Sequence, residues 1–170
     1  MDFSSINKEV GTHSVLIPLK LTKDDKIINV KIPFTYTIKG APLTIKINNA
    51  TRQYGEDNPS FTYSFEGFIN NEDESSLSSL PQISTSANKA SNVGTYTITG
   101  SGASSSHYDI SYSNGSLVIE KAPLTAKVID SSKEYGASNP NFSLEYEGLK
   151  NAETTPTWTI SPSYTTSATN

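Results

Sequence analysis

Acidic side chains are the most concentrated metal-ligand candidates in the sequence. Two lie together at Glu56-Asp57 and three at Glu72-Asp73-Glu74. Carboxylates gathered in loops can bind Ca²⁺, but the spacing of an EF-hand is missing. A related stretch further along keeps Glu153 and replaces the next two acids by Thr154-Thr155. The pattern favours the solvated start of a helix, and we expect neither a metal nor a cofactor.

The two histidines are the other candidates for chemistry. His13 and His107 lie in unrelated surroundings, and neither belongs to a recognisable Ser/His/Asp arrangement. The chain has no cysteine, which excludes thiol catalysis, thiolate zinc sites and a disulfide scaffold. Glycines are spread over turns and form no phosphate-binding loop. We therefore expect a protein that is not an enzyme.

Charge and hydropathy exclude further classes of function. The net charge is −4, and lysine and arginine form no cluster, which argues against a nucleic-acid partner. No apolar stretch approaches 18 residues, so we expect no membrane insertion. Nothing near Met1 resembles a secretory signal.

A Tyr-Gly-x-x-Asn-Pro-x-Phe motif occurs twice and is the strongest local signature. Glycine, asparagine and proline suit a tight loop, and the phenylalanine suits a strand entering the core. The residues inside the loop differ, Glu56-Asp57 against Ala137-Ser138, so the two copies share no ligand chemistry. We assign a structural role to the motif residues, which are Tyr54, Gly55, Asn58, Pro59 and Phe61 in the first copy and Tyr135, Gly136, Asn139, Pro140 and Phe142 in the second.

The motif belongs to a longer internal repeat. Residues 41–89 align without a gap to residues 122–170 at an offset of 81, and 18 of these 49 positions are identical. Val10-Gly11-Thr12-His13 also resembles Val93-Gly94-Thr95-Tyr96. The sequence thus predicts three parts: residues 1–40 as closing strands of a preceding module, 41–121 as a complete repeat, and 122–170 as the front half of a second repeat.

Alternation of apolar and polar residues predicts short strands throughout. Asn114-Gly115 predicts a type I′ hairpin, and Lys23-Asp24-Asp25 predicts another between the runs 13–21 and 26–38. Residues 69–80 have the spacing of a short helix, and the second copy is expected to start its helix at Pro156. Strands around one short helix give a mostly β, α+β module, with an immunoglobulin-like β-sandwich as the alternative. Expected core residues are Leu43, Ile45, Phe61, Phe65, Ile98, Ile110, Leu117 and Ile119, and Leu124, Phe142, Tyr146 and Trp158 in the second repeat.

The order of these motifs resembles the MBG repeat of the YGX type. The similarity rests on Leu-Thr, the Tyr-Gly loop, an aromatic strand ending in Glu-Gly, an acidic asparagine turn, Val-Gly-Thr-Tyr, and a closing Ile-Glu-Lys-Ala, and it covers about residues 41–168. The resemblance implies tandem β-grasp-like modules with one short helix each, in secreted or cell-surface adhesin-like proteins of bacteria. It implies no catalytic activity and no defined ligand residues.

These observations lead to an expected function and expected partners. We expect a structural repeat in the stalk of an extracellular bacterial adhesin, on the cell surface or secreted, with the alternative that the modules bind host glycan or protein. The neighbouring modules of the same chain are the first partners. Residues 9–40 and 122–168 are complementary halves of a module, so head-to-tail self-association through them is the second expectation. The alternative is that residues 1–40 pack on the middle module and the C-terminal half forms a self-sufficient short sheet.

Overall fold

The computed structural model describes residues 9–168. Their regular structure consists of strands and a single 3₁₀ turn at Glu74–Ser76. The strands are β1 (Gly11–Lys23), β2 (Lys26–Ile38), β3 (Ala41–Ile47), β4 (Ala50–Gln53), β5 (Tyr63–Glu66), β6 (Gln82–Thr85), β7 (Gly94–Ser101), β8 (Tyr108–Ser113), β9 (Gly115–Glu120), β10 (Thr125–Val128) and β11 (Leu144–Glu147).

The expected α+β module with one helix is wrong. Asn70 and Asn71 adopt positive φ, which ends any helix at once. The Asp73 carboxylate accepts hydrogen bonds from the side chain and backbone of Ser75, and these bonds lower the pKa of Asp73. This local bonding holds a 3₁₀ turn, and Leu77 is already extended. Pro156 likewise starts no helix in the second repeat.

The sheets combine parallel and antiparallel pairs. One three-stranded sheet has the order β5-β3-β8, and one four-stranded sheet has the order β4-β9-β7-β6. The pairs β3–β8 and β4–β9 are parallel, whereas β3–β5 is antiparallel. Parallel pairs also separate this fold from an immunoglobulin-like sandwich, whose sheets are antiparallel.

The predicted hairpin at Asn114-Gly115 is also wrong. Neither residue has the positive φ that a type I′ turn requires. Instead β8 pairs with β3 and β9 pairs with β4 in the same direction, so the chain runs on through a break at Asn114. Gly115 is needed for another reason, since a Cβ there would lie 2.6 Å from the carbonyl oxygen of Asn48.

The predicted hairpin at Asp24-Asp25 is confirmed. Both aspartates have positive φ, 49° and 60°, as in a type I′ turn. Thirteen residue pairs join β1 to β2, from Gly11↔Ile38 to Lys23↔Lys26. These two strands form a sheet of their own.

The described chain divides into two compact units that do not follow the repeat boundaries. One comprises residues 9–48, 61–84 and 98–115, and the other 49–60, 85–97 and 116–168. Leu43, Ile45 and Ile98 are fully buried in the first unit. Leu117 and Ile119 are buried in the second. Burial at these five predicted core positions is confirmed, while Phe61, Phe65 and Ile110 are only half-buried.

The second repeat reproduces the start of the first in its strand register. Thr125↔Glu147 and Val128↔Leu144 in β10–β11 correspond to Thr44↔Glu66 and Ile47↔Tyr63 in β3–β5, each shifted by 81. Trp158 was expected to be buried and is 42% exposed. Within residues 9–168, no helix has the length and apolar character to cross a membrane.

Candidate functional site

The first Tyr-Gly-x-x-Asn-Pro loop is fixed to the sheet by a buried arginine. Arg52, on β4, donates from Nε to the Asn58 side-chain oxygen at 2.8 Å and from Nη2 to the Asn88 carbonyl at 2.5 Å. The amide nitrogen of Asn58 in turn donates to the carbonyl of Ala87 at 2.7 Å. Asn58 therefore links the loop to the connection between β6 and β7. Its side-chain oxygen also accepts a hydrogen bond from the buried guanidinium of Arg52.

The second copy keeps part of this arrangement. The Asn139 amide donates to the carbonyl of Ala168 at 3.1 Å, which is the Asn58–Ala87 contact shifted by 81. Lys133 replaces Arg52, and its ammonium donates to the carbonyl of Ala137 within its own loop. Because lysine lacks the guanidinium fork, it cannot reproduce the arginine network.

The remaining motif residues lie just before the next strand, which is β5 in the first repeat and β11 in the second. Phe61 and Phe142 are half-buried, and the Phe142 ring lies 6.2 Å from the ring of Tyr164. Pro59 is exposed, and Pro140 is half-buried. These positions agree with a chain entering the apolar layer after a tight loop.

Tyr54 and Gly55 contact the second repeat. The Tyr54 hydroxyl donates to the Glu153 carboxylate at 2.6 Å. Gly55 has φ +82°, and a Cβ on it would overlap the Cβ of Lys150. The side chain of Lys150 therefore lies directly on the bare backbone of the loop, where only glycine leaves enough room.

A groove marks this junction. It has a volume of about 290 Å³, and Tyr54 lies on one side of it. The turn Leu149-Lys150 and Glu153 of the second repeat also line it, together with Ala122 and Leu124. One loop of the first repeat and one turn of the second thus form a single surface.

The equivalent loop of the second repeat has no such contact in residues 9–168. Tyr135 is fully exposed, and a Cβ on Gly136 would meet nothing within 4 Å. Gly136 nevertheless has φ +83°, almost the same as Gly55. The loop keeps its conformation without a docking turn.

The equivalent turn of the first repeat also borders a groove. Ile69, Asn70 and Glu72 are the first-repeat counterparts of Lys150, Asn151 and Glu153, and they border a groove of about 250 Å³. The hydroxyl of Tyr108 donates to Glu72 at 2.6 Å and accepts from the backbone of Ile69 at 3.1 Å. Burial, and next the bond to Glu72, raise the pKa of Tyr108.

The acidic and histidine candidates are dispersed. Glu56 accepts from the backbone of Gln53, and Asp57 forms an ion pair with Lys89. His107 lies 3.1 Å from a carboxylate oxygen of Glu9. Within the part of the chain that the structure describes, no three His, Asp or Glu side chains are grouped to hold a metal ion.

Sequence reasoning singled out the Tyr-Gly loop but missed the turn that contacts it. Glu153 was assigned to the solvated start of a helix, and the roles of Lys150 and Arg52 were not recognised. A signal was present, because Asn70 and Glu72 are identical to Asn151 and Glu153 across the repeat. Identical residues in an otherwise variable turn indicate a common role, and both glutamates accept a hydrogen bond from a tyrosine hydroxyl.

Comparison with protein families gives one match. The family described as MBG domain (YGX type) matches residues 43–118 and 124–170. Comparison with curated proteins and with solved structures gives no match. The two matched segments cover most of the chain and contain both Tyr-Gly loops, so the chain belongs to the MBG domain (YGX type) family.

Proposed function

We propose that this chain is a non-catalytic structural repeat in the stalk of an extracellular bacterial adhesin-like protein. The MBG family consists of repeat domains of surface proteins, which supports this role. The observation that carries the proposal is the contact of the Tyr54-Gly55 loop with Lys150 and Glu153. A repeat whose Tyr-Gly motif contacts the next repeat can fix the orientation of successive modules.

The short connection between the repeats supports the same role. Six residues, Glu120-Lys121-Ala122-Pro123-Leu124-Thr125, lead from the end of β9 to the start of β10 without a Gly/Ser spacer. The backbone of Tyr54 donates to the carbonyl of Glu120 at 2.8 Å, so the loop is also held at the beginning of the connection. A flexible tether would need a longer and more glycine-rich segment.

A spin-label experiment tests this junction. The chain has no native cysteine, so Thr51→Cys and Glu145→Cys introduce two unique labelling sites, one in each repeat. Double electron–electron resonance is expected to give one narrow distance distribution. Gly55→Asn keeps the left-handed backbone available but collides with Lys150, and it is expected to broaden that distribution. Gly136→Asn is the matched control and should leave it narrow. A broad distribution in the unmodified repeats would overturn the stalk proposal.

A double-mutant cycle measures the energy of the contact. Tyr54→Phe removes the hydroxyl donor, and Glu153→Gln removes the negative charge of the acceptor. The coupling energy of the two substitutions is expected to be about 1 kcal/mol. Trp158 is the sole tryptophan and lies in the second repeat, so its fluorescence in urea reports unfolding there. Tyr135→Phe is the control, because that hydroxyl is fully exposed. A coupling energy near zero would remove the energetic basis of the proposal.

The alternative function is binding of host glycan or protein by the modules themselves. A shared binding face requires exposed aromatic residues at the same position in both repeats. Tyr54 and Tyr135 share a position, but Tyr54 is half-buried and bonded to Glu153. This difference favours docking between modules. Glycan-array binding by the wild-type chain that Tyr135→Ala abolishes would favour the alternative.

A further inference from the structure

The polypeptide enters and leaves the first repeat through strands that pair with each other. It comes from β2 through Lys39-Gly40 and begins β3 at Ala41. It ends β9 at Glu120 and continues through Lys121 into the second repeat. β3 pairs with β8, which leads into β9, and β4, which follows β3, pairs with β9. Tension along the polypeptide therefore acts first on these four strands.

The direction of pairing decides how tension loads them. Both pairs, β3–β8 and β4–β9, are parallel. Tension pulls β3 and β4 toward the amino end of the chain and pulls β8 and β9 toward the carboxyl end. In a parallel pair these two pulls lie along the strands in opposite directions, so one strand must slide past the other. The evenly spaced hydrogen bonds of a parallel pair are then strained together, not one after another.

The hydrogen-bonded ladder between the loaded strands is long. Six residue pairs join β3 to β8, and four join β4 to β9. Further backbone bonds extend the ladder at both ends. The nitrogen of Ala41 donates to the carbonyl of His107 at 2.9 Å, and the nitrogen of Tyr54 donates to the carbonyl of Glu120 at 2.8 Å. The whole ladder thus lies between the points where tension enters and leaves the repeat.

A side chain continues the ladder between the two strand pairs. Asn49 lies between β3 and β4, and Ser116 is the second residue of β9. The side-chain oxygen of Asn49 accepts a hydrogen bond from the backbone nitrogen of Ser116 at 2.9 Å and another from its hydroxyl at 3.1 Å. This contact joins the same two segments of chain that tension pulls in opposite directions.

Burial adds to the resistance against sliding. Leu43 and Ile45 on β3 are fully buried, as are Leu117 and Ile119 on β9. β3 also pairs with β5, and β9 also pairs with β7, so both lie inside their sheets. To slide, each strand must move buried side chains through a close-packed layer and separate backbone groups that water does not reach.

We propose that the first repeat bears tension, with the parallel pairs β3–β8 and β4–β9 acting as a shear clamp between its two ends. The strands β5, β6 and β7 lie between the clamped strands in the sequence, so tension does not reach them until the clamp opens. The clamp goes beyond the proposed stalk function, because it rests on strand pairing within one repeat. The stalk proposal rests on the contact between two repeats, so either can fail without the other.

Pulling the same protein in two directions tests the clamp. Optical tweezers grip the full-length chain through DNA handles on two introduced cysteines, since the chain has no native cysteine. The exposed positions in Lys39→Cys and Lys121→Cys load the clamp in shear. Lys39→Cys with Glu66→Cys instead pulls on β3 and β5, an antiparallel pair in which Thr44 lies opposite Glu66. Pulled from this end, that pair opens one bond at a time.

The lifetime of the folded repeat at constant force is the measured quantity. We expect it to be at least about tenfold longer in the shear direction, which corresponds to one or two additional hydrogen bonds broken together. Urea denaturation without load checks that the two double-cysteine chains are equally stable. Equal lifetimes in the two directions, for chains of equal stability, refute the clamp.

Asn49→Ala tests the side-chain bond of the ladder. It is expected to shorten the lifetime in the shear direction about fivefold, as loss of one hydrogen bond does, and to leave the lifetime in the peeling direction unchanged. Ser84→Ala is the matched control, because the Ser84 hydroxyl lies 3.3 Å from that of Thr99 on β7, outside the clamp. Equal shortening in both directions would mean that Asn49 stabilises the fold without belonging to the clamp.

The outcomes also separate the clamp from the stalk. A long lifetime in shear together with a broad spin-label distribution would support a load-bearing repeat and overturn the stiff stalk. A narrow distribution together with equal lifetimes in the two directions would leave the stalk intact and overturn the clamp.

Discussion

Ala152 adopts a backbone conformation that its side chain does not favour. The turn beside Glu153 has positive φ at two consecutive residues, Asn151 at 52° and Ala152 at 60°. In the first repeat both positions are asparagine, Asn70 and Asn71, with nearly the same angles. Asparagine tolerates this region because its side chain bonds locally, whereas alanine carries a cost of about 1–2 kcal/mol.

Ala152→Asn is therefore expected to stabilise the second repeat by about 1 kcal/mol, since it removes most of that cost. The free energy of unfolding is measured in urea from the fluorescence of Trp158. The reciprocal variant, Asn71→Ala, should destabilise the first repeat by a similar amount, followed by circular dichroism. Equal stability of Ala152→Asn and the wild type would mean that the turn relaxes to another conformation.

At the scale of the elements, the side chain of Asn58 joins the first Tyr-Gly loop to the sheet. Its side chain satisfies both Arg52 on β4 and the Ala87 carbonyl after β6. Asn58→Ala leaves a buried guanidinium nitrogen and a carbonyl without these partners, and is expected to cost about 1–3 kcal/mol of unfolding free energy. Asn139→Ala is the matched control, because Asn139 is exposed and Lys133 replaces the arginine. Unfolding free energies are measured by urea denaturation. Comparable losses in the two variants would show that the bond to Arg52 does not cause the destabilisation by Asn58→Ala.

Local patterns in the sequence predicted the elements whose causes are local. The Asp24-Asp25 hairpin and the buried positions Leu43 and Ile45 follow from turn chemistry and alternation. The helix expected at residues 69–80 failed because Asn70 and Asn71 adopt positive φ and the Asp73 carboxylate accepts hydrogen bonds from Ser75.

Asn114-Gly115 failed for a different reason. Its conformation is set by the close approach of Gly115 to Asn48, which lies between β3 and β4, 115 − 48 = 67 residues away in the sequence. No local pattern reports that approach. The Tyr-Gly loop, like the hairpin at Asp24-Asp25, was predicted from residues that are adjacent in the sequence. The turn with Lys150 and Glu153 is brought to the loop by the fold, so no local pattern predicted that contact.

At the scale of the whole molecule, the pairs β3–β5 and β10–β11 share one register. Within residues 9–168 they differ in the number of strands that pair with each of their members. β3 lies between β5 and β8, and β9 lies between β4 and β7. β10 and β11 have only each other. Backbone hydrogen bonds in the middle of a sheet open only when the surrounding strands separate, whereas those of an exposed pair open locally.

Hydrogen exchange is therefore expected to be slowest in β3 and β9 and fastest in β10 and β11, with a difference of at least about tenfold in rate, since exchange follows local opening. Mass spectrometry of peptides covering residues 43–47, 115–120 and 125–128 measures it. The amides of β3 are the internal control. Protection of β10 equal to that of β3 would contradict this ranking and mean that the β10–β11 pair does not open locally.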